Sequence, residues 1–420
     1  MIAMKPSILA SALLAICLAA PATAGTQALL PPQQGDMVPT VLQARVAMPQ
    51  SVQAMAATPQ MHVEHAPLSV NWPLPHDVAL QPQPQPFARS SREYWRDVSA
   101  SELQQGLPLP LSAPGAIIRL SPGDAAVGKL DPAGVHLQLG RQSLNANTAS
   151  RQVVDAIALH AAGMDVPAAS MAMQLRPELG SGVATLRVPA ASGRYVVHVY
   201  EPQSPFTVTA KADRDDLLLG RGVQVRVALH DQGRDMPLGS VGGLLRAPDG
   251  SSTPLNFRRQ ADGSFTVDVR PRSIPTTPGL WEVHSFTTGR DAAGNEIRRD
   301  TTTVFAAAAP VARLSGLADT ARAVDRGIDI TLGLTAQTAS RYAVSAVLYG
   351  RGADGSMVPA GFAQSAAWLP AGDGRLTLHY DPASLQGVGA PYELHDLRLQ
   401  DQPAVGLLER RALAMRFIAP

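Results

Sequence analysis

From about Ser90 onward, apolar and polar residues alternate in short runs. Val223, Val225, Val227 and Leu229 interleave with Gln224, Arg226, Ala228 and His230, and Ile328, Ile330, Leu332 and Leu334 repeat the pattern later. A period of two places every second side chain on one face, so each run predicts a strand with one buried side. Asp-Gly pairs at 249–250, 262–263, 354–355 and 373–374 punctuate the runs and supply the positive φ of tight turns. The class expected is all-β, built as sandwiches.

An internal repeat refines this. Arg221-Gly222-Val223-Gln224-Val225 matches Arg326-Gly327-Ile328-Asp329-Ile330, and Asp249-Gly250-Ser251 matches Asp354-Gly355-Ser356, both at an offset of 105. Asp262-Gly263 then matches Asp373-Gly374, and Trp281-Glu282-Val283-His284 matches Tyr392-Glu393-Leu394-His395, at an offset of 111. The six-residue change is expected as an insertion in a loop. A unit of this size holding about seven strands fits an immunoglobulin-like sandwich and exceeds a solenoid repeat. A fainter echo at Gly193-Arg194-Tyr195-Val196-Val197-His198 suggests a third copy upstream. The first unit is less regular: Ser99 with Glu102 has capping-box spacing for a helix over 102–105, and 153–162 reads as another. Strands are expected at 116–120, 135–139, 183–188 and 195–200.

The N-terminal part breaks both patterns. Lys5 precedes an unbroken apolar run from Ile8 to Ala20, followed by Pro21 and Ala22-Thr23-Ala24, the layout of a secretory signal peptide cleaved before Gly25. The run is shorter than a membrane span. Cys17 lies inside it, and Ile16 before it argues against lipidation, so the mature chain is expected to lack cysteine and disulfides. Residues 25–89 are rich in Pro, Gln, Ala and Met and predict a flexible leader. The expected division is signal peptide 1–24, leader 25–89, and sandwiches at 90–204, 205–309 and 310–420.

At Tyr195-Val196-Val197-His198-Val199-Tyr200-Glu201-Pro202, leading into 206–213, the chain resembles bacterial exported proteins of domain of unknown function 4785. The turn Ala247-Pro248-Asp249-Gly250-Ser251 and the segments Gly279-Leu280-Trp281 and Tyr392-Glu393-Leu394 look like bacterial immunoglobulin-like domains in general. The resemblance covers about residues 90 to 420. It implies consecutive immunoglobulin-like domains and secretion from a Gram-negative cell, and it brings no active site with it.

Composition narrows the function classes. Charged residues make up 16 % of the chain with a formal net charge of +1, and no basic run points to nucleic acid. Serine-hydrolase elbows, phosphate loops and cysteine metal sites are absent from the sequence, so no catalytic residues are assigned and a non-enzyme is expected. His62, Glu64 and His65 lack zinc-protease spacing. The repeated pairs Glu282 with His284 and Glu393 with His395 place an acid and an imidazole on one strand face, which could hold a metal or simply form an outward polar face. Asp291, Asn295 and Glu296 fit calcium between tandem domains, although the same residue types build ordinary turns. The polar face and the turn are the expectations, with no cofactor and calcium as the alternative. Aromatic residues are only 5 % of the chain, and Trp72, Trp95 and Trp368 follow no period, so a glycan platform draws no support from the sequence.

The expectation is an exported, non-enzymatic binding or scaffold protein with a protein or glycan partner, periplasmic or extracellular, without membrane insertion of the mature chain. The alternatives are an accessory or inhibitory module for a secreted hydrolase, and an enzyme whose site has no sequence signature.

Overall fold

The computed structural model describes residues 25–44, 64–80, 86–123, 130–272 and 278–418. The export signal read at 1–24, with Cys17, and His62 lie outside the described residues. The fold is all-β, built from antiparallel sheets packed face to face, as the alternation predicts.

Three large buried clusters lie between facing sheets. The first fills the space between the sheet of strands Leu107–Leu111, Gly182–Arg187, His136–Leu139 and Gln142–Asn145 and the sheet containing Glu93–Ser99, Arg194–Tyr200 and Ile117–Pro122. In the second, Val223, Val225, Val227 and Leu229 pack against Trp281, Val283 and Phe305. The third is covered on one side by Ala312–Arg322, Ile328–Ala336 and Gly372–Tyr380. Its other side is a five-stranded sheet in the order Leu68–Pro73, Met357–Leu369, Ser340–Arg351, Gly389–Asp401, Gly406–Phe417.

The sequence repeat is a repeat of register. Val225 faces Val267 in the second core, and Ile330 faces Leu378 in the third, the same positions shifted by the two offsets. Gly250, Gly263 and Gly355 take φ between 82° and 85° at their turns, whereas Asp373-Gly374 lies inside a strand and the positive φ falls on Gly372. The six-residue insertion is not in a loop. It lengthens Met357–Leu369 to 13 residues, where the matching segment of the second core holds only the short strands Ser252–Leu255 and Arg258–Arg259. A long edge strand needs a partner for its backbone groups, and Leu68–Pro73 supplies it.

That partner comes from the segment expected as a flexible leader, which differs from the expectation. Gly25–Ala28 pairs with Leu317–Thr320, Leu29 is buried in the third core, and Ala88–Ser91 joins the second. Proline content argued for a linker, yet Leu68–Pro73 occupies a sheet edge, where a missing N–H is tolerated.

Ser99 caps the helix Ala100–Gln105 through the expected capping box with Glu102. The helix read over 153–162 is shorter, Ala156–Ala161, because β-branched Val153 and Val154 finish a strand and Asp155 caps the helix behind them. The four strands expected in this unit appear within two residues of their predicted bounds.

Candidate functional site

The outer face of the five-stranded sheet carries an exposed aromatic band. Leu68, Val70 and Trp72 stand opposite Ala366, Gln364 and Phe362, and these in turn face Ala343, Ser345 and Val347, so all nine side chains share one face. The intervening residues Ala363, Val344 and Ala346 point inward to the core. Trp72 is 47 % exposed and stacks on Phe362 with ring centroids 4.7 Å apart. At the other end of the same strand Trp368, 37 % exposed, stacks on His65 at 4.2 Å. One strand further, Tyr349 leans on His395 at 4.2 Å.

The leader fixes this band in place. Arg341, on the same face, donates to the carbonyls of Glu64 and Ala66, both at 2.6 Å, and to Gln402 Oε1 at 2.8 Å. His65 is thereby held over Trp368. Of the cluster His62, Glu64 and His65, Glu64 accepts from the Ala66 amide and His65 is a stacking ring.

Charges on this face are spent on one another. His395 donates to Glu393 at 2.8 Å and Arg416 reaches the same carboxylate at 2.7 Å. Burial pushes the Glu393 carboxyl up, but the His395 and Arg416 contacts outweigh it and hold it below the usual carboxylate range. Asp396 joins Arg398 and Arg410 at 2.7 and 3.0 Å.

The other predicted pair has the same form: His284 donates to Glu282 at 2.8 Å, and its other nitrogen meets Thr302 Oγ1 at 3.1 Å. The first core adds a pair that the sequence reading missed, Glu93 with His198 at 2.9 Å, because its partners lie on different strands. Each pair brings two groups together, and among the described residues no group of three or more His, Cys, Asp or Glu stands in a metal-holding arrangement.

Asp291 accepts from the amides of Ala293 and Asn295 at 2.9 and 2.8 Å and from the Asn295 side chain at 2.8 Å. Glu296 pairs with Arg298 instead of turning toward Asp291. The geometry is that of a turn whose acid is internally satisfied, and the Asn295 contact holds the Asp291 carboxyl below its ordinary range.

A cleft of about 570 Å³ opens where Gly35–Val38 meet Asp213–Leu218, with Arg221, Leu407 and Arg410 on its walls. Burial, and then the neighbouring Asp215, push the Asp216 carboxyl up. Among the described residues, carboxylates of Asp36, Asp213, Asp215 and Asp216 line the cleft together with Arg214, Arg221 and Arg410.

A different polar cluster sits where the first two cores meet. The strands Glu93–Ser99 and Glu296–Ala308 adjoin at Glu93 and Asp300, which makes their sheets continuous. Beside this seam Glu201 and Arg299 pair at 2.7 Å with both side chains fully buried. Glu201 also accepts from the amides of Ser112 and Ala113, and Arg299 donates to Ser112 Oγ, Ser204 Oγ and the Phe206 carbonyl. Every partner is satisfied, which is the mark of a structural joint.

Comparison with known proteins agrees with this architecture. The N-terminal domain of the domain of unknown function DUF4785 matches residues 59–201, and the C-terminal domain matches 311–417. The first match begins inside the segment expected as a leader. A crystal structure of a DUF4785 family protein from Legionella pneumophila is similar over 92 % of this chain and 99 % of its own, with a TM-score of 0.69 at 20 % identity, which shows a shared fold. The Escherichia coli adhesin FdeC aligns with 79 % of this chain and 99 % of its own at 15 % identity and a TM-score of 0.20. The Escherichia coli alpha-2-macroglobulin aligns with 74 % of this chain and 23 % of its own at 10 % identity and a TM-score of 0.22, and neither likeness is strong enough to argue from. No curated protein matches the chain. With the N-terminal and C-terminal domains together spanning more than half of it, the chain belongs to the DUF4785 family.

Proposed function

We propose that this is an exported, non-enzymatic binding protein whose contact surface is the outer face of the five-stranded sheet. The observation that carries the reading is the gathering of Trp72, Phe362 and Trp368 at one exposed face, two of them held there by a segment that makes no core of its own. Exposed rings cost solvation and are retained where a partner covers them, and tryptophan is enriched at contact centres. Export is supported by the signal-peptide layout of 1–24.

The test is retention of the mature chain, residues 25–420, on isolated cell-envelope fragments. The wild-type chain is retained, and Trp72→Ala with Trp368→Ala is released. Retention that survives both substitutions, or no retention of the wild type, removes the face from the account.

A further inference from the structure

We infer that the partner held between Trp72 and Trp368 is an extended glycan of uncharged sugar rings, an inference that rests on the face being the contact surface. The two ring stacks sit six residues apart on one strand, which at about 3.3 Å per residue separates them by roughly 20 Å. That is the reach of a chain several sugar units long.

What lies between the rings decides the chemistry. A protein–protein contact has an apolar centre and a polar rim. Here the centre is mixed, with Gln364 and Ser345 facing each other midway between the rings beside the apolar Leu68, Val70, Ala366 and Ala343. Gln400 stands on the same face beside Ala343. None of these three side chains is hydrogen-bonded within the described chain, so two amides and a hydroxyl stand half-buried with their donors and acceptors unspent. Neutral groups that both donate and accept suit hydroxyls, while flat rings suit the C–H faces of sugars.

Charge points the same way. On this face Glu393, Asp396, Arg398, Arg416 and His395 are paired with one another, and Arg341 is committed to the leader carbonyls. Among the described residues of this face, no open cationic cluster remains to recognise phosphate or an acidic polymer.

The experiment is co-sedimentation of the mature chain with protein-free cellulose, chitin and curdlan, three uncharged insoluble polysaccharides, read alongside tryptophan fluorescence. At least one polysaccharide retains the wild type. Trp72→Ala and Trp368→Ala each weaken retention by about ten-fold, the loss of one stacked ring. Gln364→Ala weakens it by a smaller factor, and Trp72→Phe recovers part of the loss. Phe286→Ala, at an exposed ring on another sheet, changes nothing. Circular dichroism melting confirms that each variant folds. The inference is overturned when none of the three polysaccharides retains the chain, or when retention is indifferent to both tryptophans. If all three fail while envelope retention is protease-sensitive and still requires Trp72 and Trp368, the contact face stands and the glycan falls.

Discussion

Glu201 and Arg299 illustrate how much a single residue carries here. Both are taken fully out of water, a cost offset only because each oxygen and nitrogen finds a partner in the loop, the joint and the strand around them. Arg299→Met leaves the Glu201 carboxylate uncompensated and is expected to cost about 3–5 kcal/mol. Adding Glu201→Gln restores part of that loss, and a double-mutant cycle by chemical denaturation measures the coupling. Asp300, one residue on, accepts from the Trp95 and Thr287 amides, yet burial pushes its carboxyl up to about 7. A group whose folded value lies above its unfolded value near 3.9 stabilises fully at low pH and loses that contribution as pH rises through about 7. His379 is partly buried, which lowers its affinity for a proton, but Asp329 and Asp325 raise it overall, so its contribution also fades with rising pH. Glu93 and Glu393 are held low, and theirs is lost as pH falls below the usual glutamate range. Thermal stability is therefore expected to be highest at about pH 4–5, where the two glutamates are already ionised, and to fall from there as pH rises to about 7. Asp300→Asn should flatten the alkaline side of that curve. A melting series with an unchanged alkaline slope in the variant refutes this assignment.

Among the elements, the leader strands define the third core most directly. Gly25–Ala28 extends one sheet, Arg411 donates to the Leu30 carbonyl at 2.7 Å, and Asp36 accepts from the Ala412 amide at 2.8 Å. Deleting residues 25–44 opens the sheet edge at Leu317–Thr320 and uncovers the pocket filled by Leu29. The third core should then melt several degrees lower and release peptides from 312–322 early in limited proteolysis. These links also show what was legible from residues alone. Strand faces, turns and the repeat could be read because they depend on neighbours in sequence. The leader could not, since Gly25 meets Thr320 and Trp72 meets Phe362 only after the chain has folded back. The six-residue insertion was visible, but its role was hidden: extra length reads as a loop unless the strand that pairs with it is known. The aromatic band needs both, which is why Trp72 and Trp368 showed no period. Gly243 adds a smaller case, since a side chain there would strike the backbone carbonyl of His284 and the Phe257 ring, and no sequence pattern announces that.

Across the whole molecule, the first two cores share one continuous sheet and a fully bonded joint, while Leu218 and Ala308, from paired strands of the second, are buried in the third. The leader then runs back to the third core and presents Trp72 at its edge. One consequence is a stable frame with the aromatic face at its C-terminal end, and among the described residues no helix is long and apolar enough to cross a membrane. The proposed binding runs through that face and not through the cleft between cores. Hydrogen–deuterium exchange of the mature chain with and without cell-envelope fragments tests this directly. Binding through the aromatic face predicts slower exchange confined to Leu68–Pro73, Met357–Leu369 and the adjoining Ser340–Arg351; protection centred instead on 35–38 and 213–221, or none at all, rules it out.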